Sequence, residues 1–241
     1  MHHELLQANL SLDEVEHLQE KYRKKLENQD RTKVKFVNIN KINWIIGTDI
    51  SYSTKNFKEW GVAVAVLWNL RSKKMESYSL AEDFITFPYK PGFLGFRECC
   101  LMVKAIERLP KRPDVVMCDG HGIIHPKRFG EAVQLGVILD IPTFGVAKNP
   151  FIGFSEWETM SRKKGNKTPI LVNAPHESNI TNQEVLGYAI CLNEGMKPVF
   201  ISVGHKIALT DALDVAIKTT LNHKQPEPLY LADRLSKKYL L

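Results

Sequence analysis

Four carboxylates in this chain stand where a carboxylate needs a reason. Asp49 lies inside the apolar run Ile45-Ile46-Gly47-Thr48-Asp49-Ile50, and a charge in a buried strand is costly unless something pairs with it. Asp119 ends the run Val115-Val116-Met117-Cys118. The Gly120-His121-Gly122 that follows permits a tight turn leaving the carboxylate at a sheet edge. Glu98 is near the start of a helical pattern lined by Leu101, Met102 and Ile106, and Asp233 lies among Leu229, Leu231 and Leu235. Acids gathered in one place repel one another and raise one another's pKa unless a cation neutralises them. Mg2+ takes such oxygen ligands together with water and phosphate, which is the chemistry of metal-assisted phosphodiester hydrolysis. The residues alone leave plainer readings open. Asp49 can be a structural acid bonded to backbone amides, Asp119 a turn residue, and Glu98 and Asp233 helix-surface acids.

The segment Phe87-Pro88-Tyr89-Lys90-Pro91-Gly92-Phe93-Leu94-Gly95-Phe96 is the least ordinary in the chain. Pro88 and Pro91 fix the backbone on either side of Tyr89 and Lys90, and Gly92 and Gly95 allow a sharp entry into the next helix. A rigid loop with flat side chains can wedge into a base stack and hold open the space of a displaced base. Tyr89 is expected to be exposed, and Phe93 and Phe96 to pack on the core. His121 and His125 are four apart in a turn with no further ligand spaced beside them, so zinc is not indicated. His125 suits a phosphate or water contact, or a helix cap. Lys127 and Arg128 suit phosphate at a helix start, or a solvated turn. Lys148, after Phe144-Gly145-Val146-Ala147, either snorkels to water or steadies a phosphate beside a metal site. Arg162-Lys163-Lys164 reads as a solvated loop tip first and as a nucleic-acid backbone contact second.

Holding such groups requires a sheet with its strand ends gathered. Residues 11–29 read as a helix, with Ser11 and Glu14 in capping-box spacing and Val15, Leu18, Tyr22 and Leu26 at helical period. Strands are expected at 43–52, 61–69 and 77–86 as an antiparallel meander. A helix over 95–109, a strand over 114–118, a helix over 128–139 and a strand over 143–147 follow. Strands at 185–192 and 198–203 and helices at 209–222 and 227–239 close the chain. Three strands followed by alternating helices and strands predict an α/β fold, a mixed sheet flanked by helices in one domain spanning 1–241; that is the outline of an RNase H-like fold and equally of other α/β layouts.

The composition fits that expectation. With 44% hydrophobic and 25% charged residues, collagen, coiled coil and disorder are excluded. The excess of 33 Lys and Arg over 27 Asp and Glu, +6, favours anionic partners, nucleic acid first. The longest apolar run, Val62 to Trp68, is far short of the ~20 residues of a membrane span, and the polar start shows no signal-peptide core. A cytoplasmic monomer that binds no membrane is therefore expected. Cys99, Cys100, Cys118 and Cys191 lack C-x-x-C spacing and read as reduced, mostly buried hydrophobes.

Six motifs in order carry a family resemblance. They are Gly47-Thr48-Asp49-Ile50-Ser51-Tyr52; Pro88 to Leu94 with Phe96-Arg97-Glu98; Asp119-Gly120-His121-Gly122 with His125-Pro126; Gly145-Val146-Ala147-Lys148; Gly204-His205; and Pro226-Glu227-Pro228 with Ala232-Asp233. From about residue 12 to its C-terminal region the chain resembles the endonuclease V family of deaminated-base repair nucleases. The resemblance implies an RNase H-like fold and hydrolysis dependent on Mg2+, for which Mn2+ can substitute. It implies cutting at the second phosphodiester 3′ to hypoxanthine, with 3′-hydroxyl and 5′-phosphate ends. By motif, Asp49, Glu98 and Asp119 match the metal-binding catalytic acids, and Asp233 a position that is Asp in some members and His in others. Lys148 and His125 match positions near the scissile phosphate. Tyr89 matches the wedge tyrosine within a DNA-binding loop of Pro88, Tyr89, Lys90, Pro91 and Gly92, and Lys90 stands where the family often has an apolar residue. An inosine-specific ribonuclease and a non-catalytic binder of deaminated or distorted DNA are the alternatives.

Overall fold

The computed structural model describes residues 2–7, 9–28, 36–174 and 183–240. Helix α1 (Leu12–Glu27) begins with the expected capping box, in which Glu14 Oε2 accepts from Ser11 N at 2.7 Å while Ser11 Oγ accepts from Glu14 N at 3.3 Å. The predicted end at residue 29 lies outside the described residues. Strands β1 (Trp44–Lys55), β2 (Lys58–Asn69) and β3 (Lys74–Phe84) form the antiparallel meander. Then come α2 (Leu94–Glu107), β4 (Val115–Cys118), α3 (Glu131–Leu139) and β5 (Thr143–Ala147). Strands β6 (Lys167–Leu171), β7 (Val185–Ile190) and β8 (Val199–His205) precede α4 (Leu209–Thr219) and α5 (Glu227–Tyr239).

All eight strands join one sheet in the order β3-β2-β1-β4-β5-β8-β7-β6. The pairs β1–β4 and β4–β5 are parallel and the others antiparallel, so the sheet is mixed, as expected. Successive side chains of a strand point to opposite faces, and β2 shows what that does. Ala63, Ala65 and Leu67 enter the core beneath α1, α2 and α3, whereas Val62, Val64 and Val66 pack with Ala232 of α5. A second core joins β4, β5, β7 and β8 to α4.

Several element ends differ from the sequence expectation by about three residues, and three differences have a local reason. β2 starts at Lys58, not at Gly61, because its hairpin with β1 closes tightly with Lys55 opposite Lys58. α3 starts at Glu131, not at Arg128, because Arg128 adopts φ +52° and Gly130 takes the N-cap. β6 is a strand that its residues conceal. The basic, polar stretch 163–167 reads as a loop or hairpin tip and the sequence predicts no element between it and residue 185, yet Lys167 opens β6, the outermost strand, where Pro169, without an N–H, is tolerated.

The fold sets α5 hard against β1. A Cβ on Gly47 would lie 2.4 Å from the Pro228 carbonyl carbon, so only glycine admits the start of α5 there. Four residues along β1, Ser51 Oγ lies 2.7 Å from Ser236 Oγ, eight residues along α5. Four strand residues and eight helical residues both span about 12–13 Å, so strand and helix run in step between these two contacts. Asp49 and Asp233 lie between them.

Candidate active site

β1 and β4 run in parallel with Thr48 opposite Cys118, and the Asp119 amide donates to the Thr48 carbonyl at 3.3 Å. The end of β4 therefore delivers Asp119 beside Asp49. Lys148, the residue after β5, makes a close ion pair with Asp119. α5 adds Asp233, whose two carboxylate oxygens each accept from Lys237 Nζ at 2.7 Å. Asp49 is buried, with its Oδ1 accepting the Ile50 N–H at 2.8 Å. Burial, then Asp119, and more weakly Asp233 push the Asp49 carboxyl well above its ordinary pKa, against the pull of Lys148. Burial likewise raises Asp119, with Lys148 opposing. Burial works against the Lys148 ammonium, but Asp119, Asp49 and Asp233 outweigh it and raise its pKa.

Glu98 approaches from α2. The Tyr52 hydroxyl donates to its Oε1 in a close hydrogen bond, and the Arg97 guanidinium lies 4.6 Å from the centre of the Tyr52 ring. Burial raises Glu98 despite these partners. Its carboxyl faces that of Glu131, a residue sequence reasoning did not single out. Glu131 is 3% exposed, and neither of its carboxyl oxygens accepts an N–H or a hydroxyl. Burial, then Glu98, Asp119 and Asp49 raise its pKa well above the ordinary value. Its place depends on Gly120, where a Cβ would lie 1.9 Å from Glu131 Oε2.

These largely buried, all-oxygen groups raise one another's pKa in the absence of a neutralising cation, and they supply the donor chemistry of a hard divalent one. Among the described residues no three His, Cys, Asp or Glu side chains are drawn together closely enough to cage an ion as they stand. Among the described residues the positive charges at these acids are Lys148 on Asp119, Lys237 on Asp233 and Arg97 near Glu98. The residues fit a cation held by a few carboxylates and water better than a closed protein cage.

A cleft of about 290 Å3 opens beside Asp119 and Lys148, lined by Tyr89, Gly92, Gly120, His121, His125 and Phe151 among others. The loop Pro88 to Pro91 forms its rim, and Tyr89 is 71% exposed, whereas Phe93 and Phe96 are buried, as expected. Phe93 N–H donates to the Lys90 carbonyl at 3.1 Å, and Gly92 has φ +88°. Lys90-Pro91-Gly92-Phe93 is thus a turn with proline and a left-handed glycine at its centre. The Gly92 carbonyl accepts from Gln19 Nε2 of α1 at 2.7 Å and faces His125 Nε2 at 2.9 Å. His125 Nδ1 accepts the Lys127 N–H at 3.2 Å. A neutral imidazole with its proton on Nε2 satisfies both contacts.

Burial lowers His125 to about 4, which has a measurable sign. A histidine kept neutral in the fold stabilises it fully above its unfolded pKa near 6.5, and that contribution is lost as pH falls toward 4. Wild type should therefore lose about 2 kcal/mol more stability than His125→Gln between about pH 7 and about pH 5. Urea unfolding at both pH values measures the difference, and equal losses would refute it.

Lys127 and Arg128 do not make a phosphate cradle at the start of α3. The first residue there is Glu131, and Arg128 pairs with Glu184 at 3.3 Å. All four cysteines are free, and Cys99, Cys118 and Cys191 are buried. Among the described residues no helix is long and apolar enough to cross a membrane.

An eight-stranded mixed sheet flanked by helices, with carboxylates gathered where its central strands run out, is the architecture of an RNase H-like nuclease. The model of the family Endonuclease V matches residues 20–234. An endonuclease V of Rippkaea orientalis is 34% identical over 226 residues, 94% of this chain and 90% of the relative. The chain belongs to the endonuclease V family and is an endonuclease. The crystal structure of endonuclease V from Bacillus subtilis superposes with a TM-score of 0.84 at 24% identity, covering 98% of this chain and 95% of that one, a likeness of fold. That from Streptomyces avermitilis gives 0.78 at 30% identity, over 97% and 94%. Endonuclease V of Ciona intestinalis, solved with a 24mer DNA containing an inosine followed by a ribo-adenosine, gives 0.77 at 26% identity, over 95% and 97%.

Proposed function

We propose that this protein is a single-domain, metal-dependent endonuclease that recognises deaminated bases, chiefly hypoxanthine in DNA. In this reading it hydrolyses the second phosphodiester 3′ to the lesion, giving 3′-hydroxyl and 5′-phosphate ends. The observation that carries it is the pairing of two mutually repelling acids, the buried Asp49 and the largely buried Asp119, with a cleft rimmed by an exposed Tyr89. Asp49, Glu98, Asp119 and Asp233 would hold Mg2+, or Mn2+ in its place. Such an ion lends Lewis acidity to the phosphate and lowers the pKa of a water when bound.

The chain's own residues do the remaining work. Tyr89, carried by Pro88, Lys90, Pro91 and Gly92, fills the stack that the displaced base leaves. Gly92 and Gly120 in the cleft wall let a base approach the backbone closely. Lys148 exchanges its partner Asp119 for the negative charge that builds on the phosphate. Tyr52 orients Glu98 from behind, and Glu131 backs the same carboxyl. His125, with both ring nitrogens on backbone groups, serves here as a positioning residue that holds Gly92 and so the foot of the wedge.

Matched DNA and RNA oligonucleotides, each with one inosine, test the reading when incubated with Mg2+ or with EDTA. Cutting of DNA one bond beyond the inosine's 3′ neighbouring phosphodiester is expected with Mg2+ and none with EDTA. Equal cutting of inosine-free controls would overturn it. A second reading, an inosine-specific ribonuclease, draws support from the ribo-adenosine after the inosine in the Ciona intestinalis complex. Preferential cutting of the RNA arm would establish it with the same acids at work.

A further inference from the structure

The hairpin joining β1 to β2 turns through two residues, Asn56 and Phe57, with φ of +52° and +60°. Two positive φ values define the hairpin turn that ordinarily takes glycine at its second position. Phe57 stands there instead, in a region bulky side chains avoid, and it is 103% exposed. The fold gains no packing from this ring, and a local rule broken without a structural return is the mark of a contact made elsewhere.

The surroundings point to the kind of contact. Lys55 Nζ lies 4.2 Å from the Trp60 ring centre and Lys58 Nζ 5.9 Å from that of Phe84, while Trp60 and Phe84 meet edge to face at 4.8 Å. Of the nearby acids, Glu59 is paired with Arg97 and Asp83 with Lys104, which leaves Glu82 exposed. Two ammonium groups on aromatic faces around a bare phenyl ring suit a nucleic-acid backbone with bases to stack on.

The tip also stands in the right place. β4 ends opposite Thr48, whereas β1 runs on to Lys55, about 23 Å further in the direction in which β4 runs out into Asp119. Phe84 is five residues before Tyr89, so at most about 18 Å of chain separates them. The tip at Phe57 lies three strand residues beyond Trp60, the partner of Phe84, or about 10 Å more. A duplex rises ~3.4 Å per base pair, so one held at Tyr89 comes within reach of the tip less than one helical turn away.

We propose that the β1–β2 hairpin tip is a second nucleic-acid contact, with Phe57 wedging at a base step of, and Lys55 and Lys58 neutralising phosphates of, the duplex that flanks the lesion on one side. It rests on the reading of the protein as a nuclease of inosine-containing nucleic acid. Its test is the effect of flank length, measured by fluorescence anisotropy in Ca2+, on inosine duplexes and on inosine-free ones. The flanks are about 4 or about 15 base pairs on either side.

Wild type should bind better when one particular flank is lengthened, by about 10-fold. Phe57→Ala should remove most of that gain and leave the short duplex unchanged. Lys55→Gln with Lys58→Gln should lower the salt slope on the long duplex by about 2. Phe57→Gly relieves the left-handed backbone, so it should raise Tm by about 2 °C while losing the same affinity, which separates contact from folding. Variants that bind the long duplex like wild type, or lose affinity equally on both lengths, would overturn the proposal. The two readings fail separately. Absence of any inosine preference counts against the proposed function, while on the long inosine-free duplex a loss of affinity in Phe57→Ala relative to wild type still scores the hairpin.

Discussion

Asp49→Ala is expected to lower cleavage of an inosine substrate by about 10^3-fold or more, with little change in binding or in Tm. Asp49 has the least freedom of the four acids, since it lies within a strand paired on both sides and its Oδ1 is already held by the Ile50 amide. A ligand so constrained has no substitute nearby. The fold, by contrast, does not depend on it. A carboxyl whose folded pKa is raised contributes stability at low pH that is lost as pH rises, so at neutral pH its removal relieves repulsion with Asp119 and Asp233. Asp49→Asn keeps an acceptor for the Ile50 N–H, and it should be equally inactive with Tm unchanged or higher. Single-turnover cleavage beside thermal unfolding reads both effects. Cleavage near the wild-type rate by either variant would remove Asp49 from the centre of the site.

Tyr89→Ala should reduce the preference for inosine over the normal base by about 1–3 kcal/mol, the worth of one stacked base. That is roughly 5- to 150-fold in relative affinity. The ring is exposed just before the Lys90–Phe93 turn, so the fold loses almost nothing. Tyr89→Phe should retain most of the effect, because stacking needs the ring and not the hydroxyl. Competition binding between inosine and control duplexes measures the preference, and an unchanged ratio for Tyr89→Ala would sink the wedge.

The readable parts of this protein are those where one residue contradicts its neighbours. Asp49 contradicts an isoleucine-rich strand, Asp119 an apolar one, and the prolines around Tyr89 contradict both regular structures. Strands β4 and β5 were legible because they are short, apolar and bounded by turn residues. β6 was not, since Pro169 and its polar neighbours are disguised by the edge position that tolerates them. Glu131 escaped notice because an acid in the first turn of a helix is ordinary surface chemistry. What makes it unusual is the missing side chain at Gly120, a fact of tertiary structure. The bond from Tyr52 to Glu98 spans 46 positions, and the approach of Asp233 to Asp49 depends on Gly47 receiving Pro228. Neither leaves a local pattern.

The Gly92 carbonyl, gripped by Gln19 from one side and His125 from the other, has a kinetic consequence. The loop's foot is ordered when the chain folds, so little conformational entropy is left to lose at each encounter with a duplex. A search along mostly undamaged nucleic acid then proceeds without a closing step at every site. Association should be nearly blind to the base encountered, and the difference between hypoxanthine and a normal base should be expressed in residence time.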